Sequence, residues 1–266
     1  MAAALVVTGG GILATGGMAA GSAAHASAHG KATRSASSPQ SVAPLRYGGG
    51  KLLTASKTYA IFWGPSNQFP SDLVGGITKL LGGFGGSNYL NIAAQYLPVA
   101  PTSTFEGSIF DPSAPPSHGL SVAEDVAEVA KVITTPDPNG IYLVYTSNFP
   151  QLNYCAYHAA GVINGVIVQT GYLPNTDGVA GCDPGDLFPV NRYGEGTRSI
   201  ADSTAHEFME ATTDPVPYGG WADKNRLEIG DKCNFVYGGP VKLANGSRWQ
   251  IQEEWSNAAG GCVQGS

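Results

Sequence analysis

The sequence predicts a mixed α/β fold in a single domain over residues 46–266, and three observations predict it. The chain has 266 residues, of which 42% are hydrophobic, so it can bury a sizeable core in one domain. Runs typical of strands alternate with helical spacing, but without the strict repetition of a parallel-sheet protein. Glycine (37) and proline (18) are abundant while only 13% of residues are charged, a composition typical of loop-rich extracellular proteins.

The predicted elements follow from local patterns along the chain. Runs rich in β-branched and aromatic residues predict strands at 57–63, 141–146, 161–170 and 247–255. The spacing of apolar residues predicts helices at 71–81, 88–96, 121–133 and 199–213. Ser121 and Glu124 form a capping box that begins the third helix. Asn164-Gly165 interrupts the third strand and indicates a hairpin turn.

The first 45 residues indicate export. Residues 1–26 are small and apolar and end in a small-x-small cleavage pattern, so we predict a signal peptide there. A transmembrane anchor is the alternative, but the stretch is rich in Gly and Ala and is too weakly apolar for one. Residues 27–45, rich in Ser, Ala and Pro, are expected to be a flexible leader with no fold of its own. We therefore expect a secreted, extracellular protein, with association with a cell wall as an open alternative.

The charge balance restricts the partners. A formal net charge of −6, without a stripe of basic and aromatic residues, argues against nucleic acid and against an anionic membrane. We expect a peptide or an extracellular polymer as substrate, no membrane contact after removal of the signal peptide, and a monomer.

Four cysteines in an exported chain indicate two disulfides. Sequence alone permits three pairings. We favour Cys155–Cys182 and Cys233–Cys262, because each closes a short loop. A metal site built from Cys155 and His158 is a weaker alternative, since no C-x-x-C or paired histidine accompanies it.

The fourth predicted helix carries a pattern that points to metal chemistry. His206 and Glu210 are four residues apart, which places them on one helical face, and Glu207 directly follows the histidine. Glu207 thereby takes the place of the general base in the H-E-x-x-H pattern of zinc hydrolases, although glutamate replaces the second histidine. Thr197 or Ser199 is expected to cap the helix, and Asp214-Pro215 to end it. The alternative is an amphipathic surface helix with a solvated polar face.

A third ligand is expected downstream of this helix. We predict Glu228 as the third metal ligand and Asp231 as the carboxylate that orients the imidazole, with exchange of the two roles left open. Asp214 is a further candidate ligand. The alternative for Glu228 and Asp231 is an ordinary acidic turn before a disulfide cysteine.

Several short blocks also carry a family resemblance. They are Tyr47–Leu53, Phe62-Trp63, Tyr142–Ser147, Cys155–His158, His206–Glu210, Glu228–Cys233 and Gln252–Trp255. In this order they resemble the phosphate-induced protein 1 / EXORDIUM-like family. The resemblance implies an exported or cell-wall protein with a zincin-like core, and the family has no firmly attached activity. Fewer cysteines than in the plant members, and Phe208-Met209 inside the motif, favour a microbial secreted branch.

The function that these residues predict is a secreted metal-dependent hydrolase, and more narrowly a zinc metallopeptidase. Zn²⁺ would acidify a water molecule and Glu207 would accept its proton. The candidates for stabilising the oxyanion are His158, Tyr193 and Tyr218. Because a ligand set with two carboxylates also suits harder ions, Mn²⁺ or Ca²⁺ is the alternative cofactor.

Two other functions stay open from the sequence. One is a non-catalytic extracellular module on a zincin-like scaffold, with a structural metal or none. The other is a glycoside hydrolase that pairs the carboxylates of Glu207 and Glu228, which would leave His206 without a role.

Overall fold

The structure is a computed structural model that describes residues 26–31, 43–188 and 192–265. The α-helices are α1 (Leu73–Phe84), α2 (Asn88–Asn91), α3 (Val122–Val132) and α4 (Glu195–Thr213), and 3₁₀ turns lie at Ser66–Gln68, Ile92–Tyr96 and Asp231–Cys233. The strands are β1 (Ala26–Gly30), β2 (Arg46–Tyr47), β3 (Ala55–Trp63), β4 (Thr102–Asp111), β5 (Gly140–Thr146), β6 (Tyr154–Ile163), β7 (Val166–Pro174), β8 (Trp221–Ala222), β9 (Val241–Lys242), β10 (Arg248–Trp249), β11 (Glu254–Ser256) and β12 (Gly261–Val263).

Six of these strands form the central sheet, in the order β1-β6-β7-β5-β3-β4. β3 is parallel to both β4 and β5, and β5 is parallel to β7. The hairpin β6-β7 and the edge strand β1 add antiparallel pairs on the other side. The sheet is therefore mixed, as the predicted fold class requires.

Helices cover both faces of the sheet. α1 and α4 pack on one face, which we call the α4 face, where Leu143 and Tyr145 meet Ile200 and Phe208. α3 packs on the opposite α3 face, over Tyr142, Val144 and Tyr157. Side chains alternate between the two faces along each strand, so His158 of β6 points to the α4 face while its neighbour Tyr157 points to the α3 face.

Most predicted elements are confirmed. The predicted strands at 57–63 and 141–146 are β3 and β5, and every residue of β5 is buried. The capping box at Ser121 and Glu124 begins α3. Asn164 and Gly165 have φ values of 50° and 79° and form the turn of the β6-β7 hairpin, whose first strand begins seven residues earlier than predicted.

Three predictions of local structure are wrong, and one strand was not predicted. Residues 26–30, which fall in the predicted signal peptide and flexible leader, form strand β1 against β6. The expected strand at 247–255 is two short strands separated by irregular chain. Gly194 precedes α4, and the predicted caps Thr197 and Ser199 lie inside the helix. β4 was not predicted, because a polar edge strand gives little hydrophobic signal. The predicted signal peptide, apart from residue 26, lies outside the described residues.

Both predicted disulfides are confirmed, Cys155–Cys182 and Cys233–Cys262, with Cα–Cα distances of 5.3 and 5.7 Å. The alternative metal site with Cys155 is thereby wrong, because its sulfur is bonded to Cys182. Cys233–Cys262 fixes the segment that carries Glu228 and Asp231, since this segment ends at Cys233. Among the described residues, no helix is long and apolar enough to cross a membrane.

Candidate metal centre

Helix α4 runs through the interior and does not lie on the surface. All its residues from 196 to 213 are buried, and His206, Glu207 and Glu210 are 0% exposed. A solvated polar face is therefore excluded. Because buried polar side chains require partners, the surroundings of these three residues determine what they can do.

His206 and Glu210 face each other as the helical spacing predicts. Nε2 of His206 lies 3.0 Å from Oε1 of Glu210 and 3.8 Å from Oδ1 of Asp231. Ligand atoms of these three residues all lie within 4.8 Å of one another. Two ligands of one zinc ion are about 3.0–3.4 Å apart when the metal–ligand distances are those of nitrogen and oxygen donors. The three residues are thus spaced as a ligand set.

Gln252 sets the orientation of the His206 ring. Its Nε2 donates to the carbonyl oxygen of Gly230 at 2.9 Å, which leaves Oε1 to accept from Nδ1 of His206 at 3.2 Å. The backbone N–H of Gln252 donates to Asp202, one turn before His206 on α4, at 2.7 Å. With its Nδ1 proton held by Gln252, the imidazole of His206 turns the lone pair of Nε2 towards Glu210 and Asp231. Metal-binding histidines are commonly held in this way.

The loop after α4 approaches His206 at a glycine. A Cβ atom added to Gly230 would lie 2.9 Å from the imidazole ring, closer than side-chain contacts allow. This close approach brings the following residue, Asp231, to the metal face of the ring, and its backbone N–H donates to Oε1 of Glu210 at 3.1 Å.

His158 and Glu228 form a second set beside the first. Nε2 of His158 lies 3.0 Å from Oε2 of Glu228 and 3.5 Å from Oε2 of Glu210. These three residues are 0% exposed, and their ligand atoms also lie within 4.8 Å of one another. Glu228, predicted as a ligand beside His206, therefore lies against His158, and Asp231 takes the place that was predicted for Glu228.

Glu207 is buried without a hydrogen bond. Neither of its carboxylate oxygens has a partner among the described residues. Ligand atoms of Glu207, His206 and His29 lie within 4.8 Å of one another, so the carboxylate lies next to the first set. A buried carboxylate without a hydrogen-bond partner lowers the stability of the folded protein, and a bound cation or an ordered water molecule would remove this penalty.

Strand β1 brings a third imidazole to the cluster. The ring of His29 stacks on that of His206 with centroids 4.0 Å apart and an interplanar angle of 2°. Its Nε2 lies 2.6 Å from Oδ1 of Asn234. β1 thus covers one side of the candidate site.

Burial and mutual charge shift the pKa values of the whole cluster. Burial raises the pKa of Glu207 well above its ordinary value, that of Glu228 to about 8, and that of Asp231 to about 7. Burial alone would lower the pKa of His158, but the negative charges of Glu228 and Glu210 outweigh it and raise the value to about 10. The cluster thus has more carboxylates than the positive charges of its imidazoles can balance. Under this condition a divalent cation can replace the protons that the carboxylates bind.

Some of the remaining predicted site residues lie near the cluster of ligand groups, and others lie far from it. Tyr218 follows α4; burial raises its pKa, and the charge of Glu228 adds to the shift, so the phenol lies near the cluster. Asp214 accepts the backbone N–H groups of residues 218–220 and stabilises that turn. Tyr193 stacks on Trp249 near the start of α4, and the helical rise from Thr197 to His206 alone is about 14 Å. Of the three predicted oxyanion candidates, His158 lies in a ligand position, Tyr193 is remote, and the role of Tyr218 stays a prediction.

Sequence reasoning missed two side chains of this site and misassigned a third. His29 lay in a segment that composition predicts to be a flexible leader, and Gln252 lay in an expected strand. His158 was considered only for the oxyanion and for a metal site with Cys155. Its position in the middle of β6 follows from the hairpin register, in which it pairs with Gly171, and a longer predicted hairpin would have indicated it.

Comparisons of the chain with family models, curated proteins and solved structures found no match. The resemblance to the EXORDIUM-like family stays a prediction, and the geometry of the cluster is the basis for the functional argument.

Proposed function

We propose that this protein is a secreted metal-dependent hydrolase, and more narrowly a zinc peptidase of the H-E-x-x-E type on a zincin-like core. The observation that carries the proposal is the carboxylate of Glu207. It is fully buried and has no hydrogen-bond partner among the described residues, yet it lies beside a set of donors with metal-ligand spacing. A structural site would not require an acid at this position.

The donor set fits a divalent cation. Zn²⁺ accepts imidazole nitrogen and carboxylate oxygen, and His206, Glu210 and Asp231 supply both kinds within ligand distance of one another. Mn²⁺ or Ca²⁺ is the alternative, because two of the three donors are carboxylates. When bound, the ion would polarise a substrate carbonyl and acidify water.

The side chains of the chain itself have separate roles in this proposal. Glu207 accepts the proton of the attacking water. Gln252 fixes the tautomer of His206. Tyr218 is the candidate donor to the oxyanion. Strand β1, which carries His29 onto His206, must withdraw before a polymer substrate can enter from that side.

The decisive variant is Glu207→Gln, which keeps the size of the side chain and removes the base. We expect the purified wild-type protein to retain zinc and to cleave members of a fluorogenic peptide library. We expect Glu207→Gln to retain the zinc and to lose about 100- to 10,000-fold in turnover, the usual contribution of a general base. Glu106→Gln, on the exposed part of β4, is the matched control and should keep full turnover.

A folded wild-type protein that takes up no divalent ion would contradict the proposal. So would a Glu207→Gln variant that retains full hydrolysis.

A second candidate function is a non-catalytic extracellular module with a structural metal. The complete burial of His206, Glu207 and Glu210 favours it, because a structural site needs no route for a substrate. The two candidates differ in one result. If the protein is a non-catalytic module, we expect chelation to lower its thermal stability and no peptide in the library to be cleaved under any condition.

A further inference from the structure

Glu210 lies between two imidazoles and presents one oxygen to each. Its Oε1 is 3.0 Å from Nε2 of His206, and its Oε2 is 3.5 Å from Nε2 of His158. Each imidazole has a second carboxylate of its own, Asp231 beside His206 and Glu228 beside His158. The cluster therefore consists of two similar halves that share one carboxylate.

A single ion cannot use both halves. One ion at about 2.1 Å from each donor brings all its ligand atoms within about 4.2 Å of one another. Among the described residues, two of the groups of ligand atoms within 4.8 Å, His206-Glu210-Asp231 and His158-Glu210-Glu228, share only Glu210. A third group, His29-His206-Glu207, adjoins the first through His206. A carboxylate with an oxygen in each of two ligand sets has the geometry of a bridge between two ions.

The charge of the cluster also matches two divalent ions. The three largely buried groups of ligand atoms contain four carboxylates (Glu207, Glu210, Glu228 and Asp231) and three imidazoles (His29, His158 and His206). With neutral imidazoles, one divalent ion would leave two negative charges uncompensated in the interior, whereas two divalent ions balance all four. Uncompensated buried charge is strongly unfavourable. Oxygens of Glu210 and Glu228 also lack hydrogen-bond partners among the described residues.

We propose that Glu210 bridges two divalent cations, one held with His206 and Asp231 and the other with His158 and Glu228. This inference rests on the metal site of the proposed function and extends it from one ion to two. Paired ions about 3.5–4 Å apart are known in hydrolytic enzymes, aminopeptidases among them, where they act together on the attacking and leaving atoms.

The test counts ions in the full-length protein after zinc loading and removal of free metal. We expect two zinc ions per wild-type chain, one in Glu228→Gln and one in His158→Asn. Loading with Mn²⁺ provides an independent measurement, since two adjacent Mn²⁺ ions give a spin-coupled magnetic resonance spectrum. We expect this coupling in the wild type and a single uncoupled ion in Glu228→Gln. The melting temperature of each variant shows that it is folded.

The partly exposed group of Asp177, Asp183 and Glu195 supplies the necessary control, because its carboxylates could bind a further ion. We expect Glu195→Gln to keep both buried ions and the coupled spectrum. If the second ion disappears in Glu195→Gln and persists in Glu228→Gln, it lies at the surface and the proposal is wrong.

The outcomes also separate this inference from the proposed function. One zinc ion in the wild type, retained in His158→Asn and lost in His206→Asn, overturns the bridged pair and leaves the single-ion hydrolase standing. No bound ion in a folded wild-type protein overturns both.

Discussion

Both faces of the central sheet bury carboxylates, but different side chains surround these carboxylates on each face. On the α4 face, each of the two imidazoles, His206 and His158, lies 3.0 Å from a carboxylate oxygen. On the α3 face, Asp125 and Glu128 of α3 are 0% and 3% exposed. Neither belongs to any group of metal-ligand atoms among the described residues. Glu128 is within 3.5 Å of Lys131, and Asp125 lies near the hydroxyl of Thr170.

The difference indicates how each face can compensate for buried acids. Burial raises the pKa of Asp125 and that of Glu128 to about 7, so these acids can become neutral by holding a proton. Burial also raises the pKa of Glu228 and that of Asp231 on the α4 face, but there the imidazoles of His158 and His206 form ligand groups with the carboxylates. The α3 face therefore serves as an internal control for buried acids that lack a ligand geometry.

The largest expected effect is stabilisation of the α4 face by zinc. At a free zinc concentration about 1,000 times the dissociation constant, binding should raise the free energy of unfolding by about 4 kcal/mol for one site. Thermal unfolding with and without zinc measures it. Glu210→Gln should lose this stabilisation, because Glu210 belongs to both ligand sets, while Asp125→Asn should keep it. Equal stabilisation of all three proteins would show that zinc acts elsewhere.

The next effect concerns the α3 face and its dependence on pH. The pKa of Asp125 in the folded protein is raised from 3.8 to about 7, so the folded state holds a proton that the unfolded chain releases between about pH 4 and pH 7. The protein should lose stability as the pH rises through this range. Asp125→Asn should therefore be more stable than the wild type by roughly 2–4 kcal/mol at pH 8, and nearly equal at pH 4.

Denaturant unfolding at the two pH values measures this difference, and Glu106→Gln on exposed β4 is the control that should show neither effect. A constant difference between Asp125→Asn and the wild type across this range would mean that Asp125 is ionised in the folded protein.

A smaller effect is expected from the amide that orients His206. Gln252→Leu should weaken zinc binding about 10- to 100-fold, the usual cost of losing such a partner, with all proposed ligands still in place. Calorimetric titration with zinc gives the affinity. Gln250→Leu is the matched control, because Gln250 is also buried but bonds to the loop at 185–188. Equal losses in both variants would assign the effect to general loosening of the chain.

The smallest expected effect comes from strand β1. His29→Ala removes the ring that stacks on His206 and should lower the free energy of unfolding by about 1 kcal/mol. His118→Ala, a change to an exposed histidine, should have no such effect. If the two variants unfold identically in denaturant, β1 does not pack on the site in solution.

The sequence predicted the arrangement of side chains on α4 better than it predicted the surroundings of this helix. The spacing of His206, Glu207 and Glu210 follows from helical geometry alone, and both disulfides follow from short loop closure. The exchange between Glu228 and Asp231 depends on the turn at Gly230, where the backbone packs against the imidazole of His206. Such tertiary packing leaves no periodic signal in the sequence.

At the start of the chain and on α3, local sequence patterns indicated solvent exposure where the structure shows burial. Small residues around His29 gave a composition typical of a flexible leader, yet pairing with β6 places them in the sheet. Asp125 follows the capping box of α3, where acidic residues normally favour the helix N-terminus from the solvent side, and here the side chain is buried. In both cases the partner lies far away in the chain, so local patterns could not indicate it.

The central claim is that a divalent cation lies between His206 and Glu210. Crystals of the zinc-loaded protein, with diffraction recorded on both sides of the zinc absorption edge, test it most directly. The account predicts an anomalous peak at ligand distance from Nε2 of His206 and from the carboxylate of Glu210. Well-ordered density in which these two groups contact each other directly, with no anomalous peak between them, would contradict it.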